Sequence, residues 1–115
     1  MGVDFTSVNR LILKINFHEC LIKNCIFSEL SLSETEFINC EILSSDFYGT
    51  DLSKSDFSES NLKDSIFENT NLKEANFTKA SQYRIHPLTN KVKYARFSMP
   101  DAMTLLQALD IEIQD

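Results

Sequence analysis

The sequence predicts an all-β solenoid, and three observations carry that prediction. Phenylalanine returns every ten residues, at Phe17, Phe27, Phe37, Phe47, Phe57, Phe67 and Phe77. An aliphatic residue stands midway in every gap, at Ile22, Leu32, Ile42, Leu52, Leu62 and Leu72, with Ile12 as a first member. Two residues ahead of the large side chains stand small ones: Cys20, Cys25, Thr35, Cys40, Ser45, Thr50, Ser55, Ser60, Ser65, Thr70, Ala75 and Ala80, with Ile15 and Leu30 as larger exceptions. A large residue at every fifth position fits neither the helix period of ~3.6 nor the strand period of ~2. A sustained period of this kind marks short units that bury their apolar residues only by stacking on their neighbours.

The unit reads small, Asp/Asn, Phe/Leu, polar, polar. An acid or amide precedes the large residue at Asn16, Glu36, Glu41, Asp46, Asp51, Asp56, Asn61, Asn71 and Asn76. The large and small positions are two apart, so in extended backbone both point inward while the residue between them points out. Three positions of every five then face water, leaving a thin, fully packed axis.

Strings such as Thr50-Asp51-Leu52-Ser53-Lys54, Ser60-Asn61-Leu62-Lys63-Asp64 and Ala75-Asn76-Phe77-Thr78-Lys79 resemble units of the pentapeptide-repeat family. That resemblance implies a right-handed quadrilateral β-helix, with one unit per side and about twenty residues per coil. On that register one inner ladder is Phe17, Phe37, Phe57, Phe77 and another is Phe27, Phe47, Phe67. The aliphatic ladders are Ile22, Ile42, Leu62 and Leu32, Leu52, Leu72. Members of a ladder are then separated by the inter-strand distance of ~4.8 Å.

Four segments follow. Residues 1–11 do not hold the phase: Phe5 is out of register, and Gly2 and Ser7 sit where large residues belong. Either Val3, Phe5, Val8 and Leu11 fold over the first coil or another chain covers it, because an uncapped end exposes apolar rings and strand edges. Members of the family with this kind of ending are usually longer, with several coils before this point. Residues 12–80 form the β-helix, about four coils with the segment that follows. Residues 81–97 read as a degenerate last coil, since Gln82 and Pro87 occupy positions that call for large apolar residues, while Ala95 and Phe97 return in phase.

Residues 98–115 read as a cap. Ser98-Met99-Pro100-Asp101 looks like a helix start, with Ser98 as N-cap, Pro100 in the first turn and Asp101 near a capping-box position. Ala102, Leu105, Leu106 and Leu109 give that helix an apolar face. Ile111-Glu112-Ile113 alternates like a short edge strand. A helix followed by an apolar strand resembles the ending of the quinolone-resistance (Qnr) subgroup, for which the resemblance implies homodimerisation through the C-terminal end. Met103, Leu106, Leu109, Ile111 and Ile113 are the candidate dimer interface.

At 115 residues, with no Trp and two Gly, the chain makes one domain with an efficiently filled core. No apolar run approaches the ~20 residues of a membrane span and the N-terminus lacks a signal pattern, so a cytoplasmic protein is expected. Cys20, Cys25 and Cys40 all fall at the small inward position and read as core filler. Three thiols with no inward His beside them do not complete a tetrahedral metal set. His18 follows a core Phe and faces solvent, and neither it nor His86 has a nucleophile with an orienting acid. The recurring Asp residues bond local backbone N–H groups. No catalytic, metal or cofactor-binding residue is assigned, and the chain is read as no enzyme.

Charge says more. Residues 29–74 hold eleven acids against Lys54, Lys63 and Lys73, and Lys79, Arg84, Lys91, Lys93 and Arg96 then follow with no acid before Asp101. An acidic barrel thus carries a basic terminal coil. Glu36, Glu41, Asp46, Asp51 and Asp56 are the candidate acidic interaction face. Other outward columns mix signs, as in Glu34, Lys54, Glu74 and Asn39, Glu59, Lys79, which is the pattern of a solvated surface. The reading is a non-enzymatic solenoid that serves as a rigid protein-interaction surface, with an unknown protein partner, a homodimeric assembly and no membrane or nucleic-acid partner. The alternative, implied by the resemblance to Qnr proteins, is a DNA mimic that binds a type II topoisomerase (gyrase). A third is a truncated homologue that keeps the fold without activity.

Overall fold

The computed structural model describes residues 15–111. Ile12, Glu112, Ile113 and the segment 1–11 lie outside the described residues. Strand pairing is parallel throughout. Strand β1 (Phe17–His18) pairs with β3 (Phe37–Ile38), β2 (Leu21–Lys23) with β4 (Glu41–Leu43), and β5 (Asn76–Phe77) with β6 (Arg96–Phe97). Phe17 lies against Phe37, Ile22 against Ile42 and Phe77 against Phe97, so each partner stands twenty residues along the chain. Single bridges extend the same step between the strands, as in Ile26–Asp46–Ile66, Ser31–Asp51–Asn71–Lys91 and Glu36–Asp56–Asn76. The chain is a β-helix solenoid in which each coil is the template for the next.

The backbone is satisfied by the coil above or below. The N–H of Phe27 donates to the carbonyl of Asp46 at 2.8 Å, that of Leu52 to Asn71 at 2.8 Å, and that of Phe57 to Asn76 at 2.7 Å. The small inward column supplies what the ladder leaves over. Hydroxyls of Thr50, Ser65 and Thr70 each donate at 2.8 Å to the carbonyls of Phe27, Ile42 and Phe47. In the same column the N–H of Cys25 donates to Ser45 Oγ and that of Cys40 to Ser60 Oγ. Ser and Thr are therefore selected by polar accounting as much as by size, because a buried group without a partner costs ~1–3 kcal/mol.

A bend recurs two residues after each large side chain. From Glu19 through Asn24, Glu29, Glu34, Asn39 and Ser44 to Lys54, Glu59, Asn69 and Lys79, φ lies between 49° and 65°. This left-handed backbone crowds Cβ, and it is most costly for branched side chains. As far as Lys79 the column accordingly holds only Glu, Asn, Ser, Asp, Lys and, at φ 65°, Gly49.

Inside, the rings stack. Phe37 lies on Phe57 at 4.8 Å between centroids with planes 2° apart, and Phe57 on Phe77 at 5.1 Å and 3°. Phe27, Phe47 and Phe67 stack likewise at 4.9 and 5.0 Å. The two stacks meet edge to face, Phe47 against Phe57 at 5.8 Å and 89°. Both arrangements suit the ring quadrupole, each pair adding ~0.5–1.5 kcal/mol beyond area burial. Ile22, Ile42 and Leu62 fill one remaining column and Leu32, Leu52 and Leu72 the other, all buried.

The last coil departs from the expected register. Gln82 is exposed, and Tyr83 and Ile85 are buried in its place. Ile85 bridges to Phe67, eighteen residues back instead of twenty, and a turn at 87–89 restores the phase so that Asn71 meets Lys91. Phe97 then closes the Phe stack on Phe77 at 5.1 Å.

The helix also differs from expectation. Helix α1 spans Met103–Gln107, with Ala102 at its N-cap and no side-chain cap. Ser98 and Asp101 are spent on the preceding coil: Ser98 Oγ accepts the N–H of Lys79 at 3.1 Å, and an Asp101 carboxylate oxygen accepts that of Gln82 at 3.4 Å. Residues 99–102 consequently form turns, and no residue of α1 is buried, although Leu105 packs against the core. Ile111, read as the start of an edge strand, lies outside any strand.

The Phe stack sets the expected mutational contrast. Phe57→Ala opens a gap between Phe37 and Phe77 and should cost ~3–5 kcal/mol. Lys73→Ala, on an exposed side chain, should stay within ~0.5 kcal/mol. Thermal melts of the two variants check this, and similar midpoints would show the stack to be dispensable.

Candidate interaction surface

Recognition falls to the outward positions, since the inward ones are sealed. The acid or amide before each large residue is partly occupied by the fold itself. Asp46 Oδ1 accepts the N–H of Tyr48 at 2.8 Å, Asp51 Oδ1 that of Ser53 at 3.0 Å, and Asp56 Oδ1 that of Ser58 at 2.9 Å. Asn61, Asn71 and Asn76 do the same for Lys63, Lys73 and Thr78. These are Asx turns, which tie the side chain to the backbone two residues on.

The five candidate acids do not form one face. Glu36 and Asp56 are bridged neighbours, but Glu41 neighbours Leu21 and Asn61, and Asp51 lies between Ser31 and Asn71. Asp46 stands between Ile26 and Ile66. Successive members of the series are one unit apart, so the winding sends each to a different column. Two columns instead run from acid to base toward the C-terminus: Glu36, Asp56, Asn76, Arg96, and Asp51, Asn71, Lys91. Near the other end His18 Nε2 lies 2.7 Å from Glu36 Oε1, with both side chains about half exposed.

Exposed apolar side chains that the sequence reading did not single out stand on the units centred on Phe27, Phe47 and Phe67, with Asp46 between Ile26 and Ile66. Ile26 is 39% exposed, Ile66 51% and Tyr48 44%. The Tyr48 hydroxyl accepts a bond from Asn69 Nδ2 at 3.3 Å. Leu21, in the neighbouring column, is 68% exposed. The signal was present in the sequence: Ile26 and Ile66, like Leu21, occupy the position that most other units fill with Asp, Asn or Glu.

At the C-terminal end Leu106 and Ile111 of the candidate dimer interface are exposed, and Met103 and Leu109 are half-buried. In the basic coil Lys79, Arg84, Lys91, Lys93 and Arg96 are all exposed, and Lys93 Nζ sits 5.3 Å from the Tyr94 ring centroid.

All three cysteines are free thiols, Cys25 and Cys40 buried and Cys20 half-buried. Burial pushes the Cys40 thiol above its ordinary value. His86 Nδ1 accepts the N–H of Leu88 at 3.1 Å. Among the described residues no three His, Cys, Asp or Glu side chains are grouped to hold a metal ion, and no helix is long and apolar enough to cross a membrane.

Comparison with known proteins agrees with this geometry. The family model for the pentapeptide repeat region matches residues 3–80. A structure of a trypsin-treated variant of QnrB1, a plasmid-mediated fluoroquinolone resistance protein, superposes with a TM-score of 0.69 at 16% identity, covering 82% of this chain and 45% of that one. A second trypsin-treated variant of the same protein gives 0.53 at 16% identity, covering 86% and 58%. The chain therefore spans about half the length of the QnrB1 structures it matches. No curated protein matches it.

Proposed function

The chain belongs to the pentapeptide-repeat family, and from that premise we propose that it is a non-enzymatic, rigid protein-interaction surface of the cell interior. Residues 12–80 serve as the body of a right-handed quadrilateral β-helix, 81–97 as its last coil and 98–115 as a capping and dimerisation segment. The observation that carries the reading is the exposed apolar group Leu21, Ile26, Tyr48 and Ile66 on a scaffold whose backbone groups are engaged coil to coil. Exposed apolar side chains on a rigid surface, here Ile26 and Ile66 on either side of Asp46, are what a protein partner desolvates. The polar side chains that could do chemistry are, by contrast, largely tied into turns.

A second reading, binding of a type II topoisomerase by DNA mimicry, is favoured by the net charge of −6 and by the fold shared with QnrB1. The dispersal of the acids over separate columns weighs against it. One experiment separates the two. The protein is immobilised and its captured partner identified, then recaptured with Ile26→Lys/Ile66→Lys; in parallel, gyrase supercoiling is assayed with and without a quinolone. Loss of the partner with the double variant, and no change in supercoiling at micromolar protein, is the expected result. Undiminished capture by the double variant would overturn the interaction face, and a supercoiling effect would install the second reading. No partner and no effect would leave a homologue that keeps the fold alone.

The C-terminal end carries the proposed homodimer contact. Leu106, Ile111 and Met99 are exposed apolar side chains at one end of the solenoid, and closed two-fold pairing is the commonest way to cover such a patch. Leu106→Glu with Ile111→Glu should halve the mass seen by light scattering and keep the β circular dichroism. A parent protein that is already monomeric at high concentration would contradict the contact.

A further inference from the structure

The break in the repeat leaves a recess. Because the chain reaches Ile85 two residues early, Gln82 turns outward at φ 55° and Tyr83 turns in against Phe77 and Phe97, at 5.8 and 5.5 Å. The column Ile22, Ile42, Leu62 therefore acquires no fourth aliphatic member. Outside it lies a cleft of about 650 Å³, lined by Phe67, Tyr83 and Ile85 on one side and by Thr104 of α1 and its C-cap Ala108 on the other. That size falls within the ~300–1,000 Å³ range of small-molecule sites.

A second observation points to an occupant. Tyr83 is 2% exposed, and its hydroxyl has no hydrogen-bond partner. Burial, followed by the nearby Asp101 carboxylate, pushes this phenol up to about 12, so it stays a neutral donor. A buried donor left unpaired is costly and is satisfied by any acceptor that reaches it. α1 has no buried residue and no side-chain cap, and Leu105 is its one residue packed against the core, so shifting this side of the cleft to admit a ligand gives up mainly that contact. Charges at the rim balance, Lys63 and Arg84 against Asp64 and Glu68, and Asp101 disfavours an anion at the phenol.

We propose that this cleft binds a small, neutral aromatic molecule whose carbonyl oxygen accepts a hydrogen bond from the Tyr83 hydroxyl. The ring packs against the apolar lining where the edges of Phe67, Tyr83 and Ile85 reach the cleft, since aromatic edges attract a ring face, and the balanced rim selects for neutrality. This site is independent of the Ile26–Ile66 face and of the partner bound there.

N-methylbenzamide is the probe, titrated into ¹⁵N-labelled protein at millimolar concentration. Saturable shifts should be confined to residues 67, 82–86 and 104–108. Tyr83→Phe should weaken binding about fivefold, the worth of one hydrogen bond. Thr104→Trp, which fills the cleft from an exposed position, should abolish the saturable shifts and leave the solenoid spectrum intact, and it decides the matter if Tyr83→Phe folds poorly. Benzoate and cyclohexanecarboxamide should each bind more weakly than the probe. Shifts that are absent, spread along the solenoid, or unchanged in Thr104→Trp would overturn the site. Equal binding of benzoate or of the saturated amide would overturn the assigned ligand class.

Discussion

Everything in this protein depends on one constraint: a side chain at position n must pack on the side chain at n+20. The stacked rings at 4.8–5.1 Å in the column Phe37, Phe57, Phe77 and Phe97 match the spacing that the backbone ladder imposes on neighbouring strands, ~4.8 Å. Aromatic stacking and strand pairing thus ask for the same rise, and neither is strained to suit the other. Repetition also turns the bends into an obligation. A left-handed residue must recur in every unit, and each such position costs backbone energy that only the packed axis repays.

The constraint explains why function is confined to the surface and to the breaks. Within the regular coils, inward positions are filled, hydroxyls such as those of Thr50, Ser65 and Thr70 close carbonyls of the coil before, and Asp and Asn hold the turns. An outward residue is free to vary only where it is not spent this way, which is why Ile26 and Ile66 stand out in a column otherwise held by Asp46. The charge gradient along two columns, from Glu36 to Arg96 and from Asp51 to Lys91, has the same origin. Register aligns residues that are remote in sequence.

Much of this was legible in the residues. The period of five, the Phe columns and the inward pairing of small with large residues follow from spacing alone, and the bonding of Asp and Asn to local amides follows from their place after the small residue. The recurring left-handed bend was also written there, in a column free of branched side chains, though composition alone does not announce a φ. The acidic series misled because linear order ignores winding: of Glu36, Glu41, Asp46, Asp51 and Asp56, the coil brings Glu36 and Asp56 together and sends the other three to separate columns. At the C-terminal end, local rules competed with tertiary ones. Ser98 and Asp101 had the spacing of a helix cap, but the exposed amides of Lys79 and Gln82 took their oxygens. Tyr83 replaced Gln82 in the core because a buried phenyl ring against Phe77 and Phe97 outweighs keeping strict phase.

The register can be tested by deletion. Removing residues 41–60, one full coil, rejoins Cys40 to Asn61 and keeps every ladder in phase. Removing residues 41–47 places polar residues in the inward columns. The account predicts that the twenty-residue deletion retains a cooperative melt and β circular dichroism, and that the much smaller deletion destroys both. If the seven-residue deletion melts like the parent, or the full-coil deletion does not fold, stacking at n and n+20 is not what holds the molecule together.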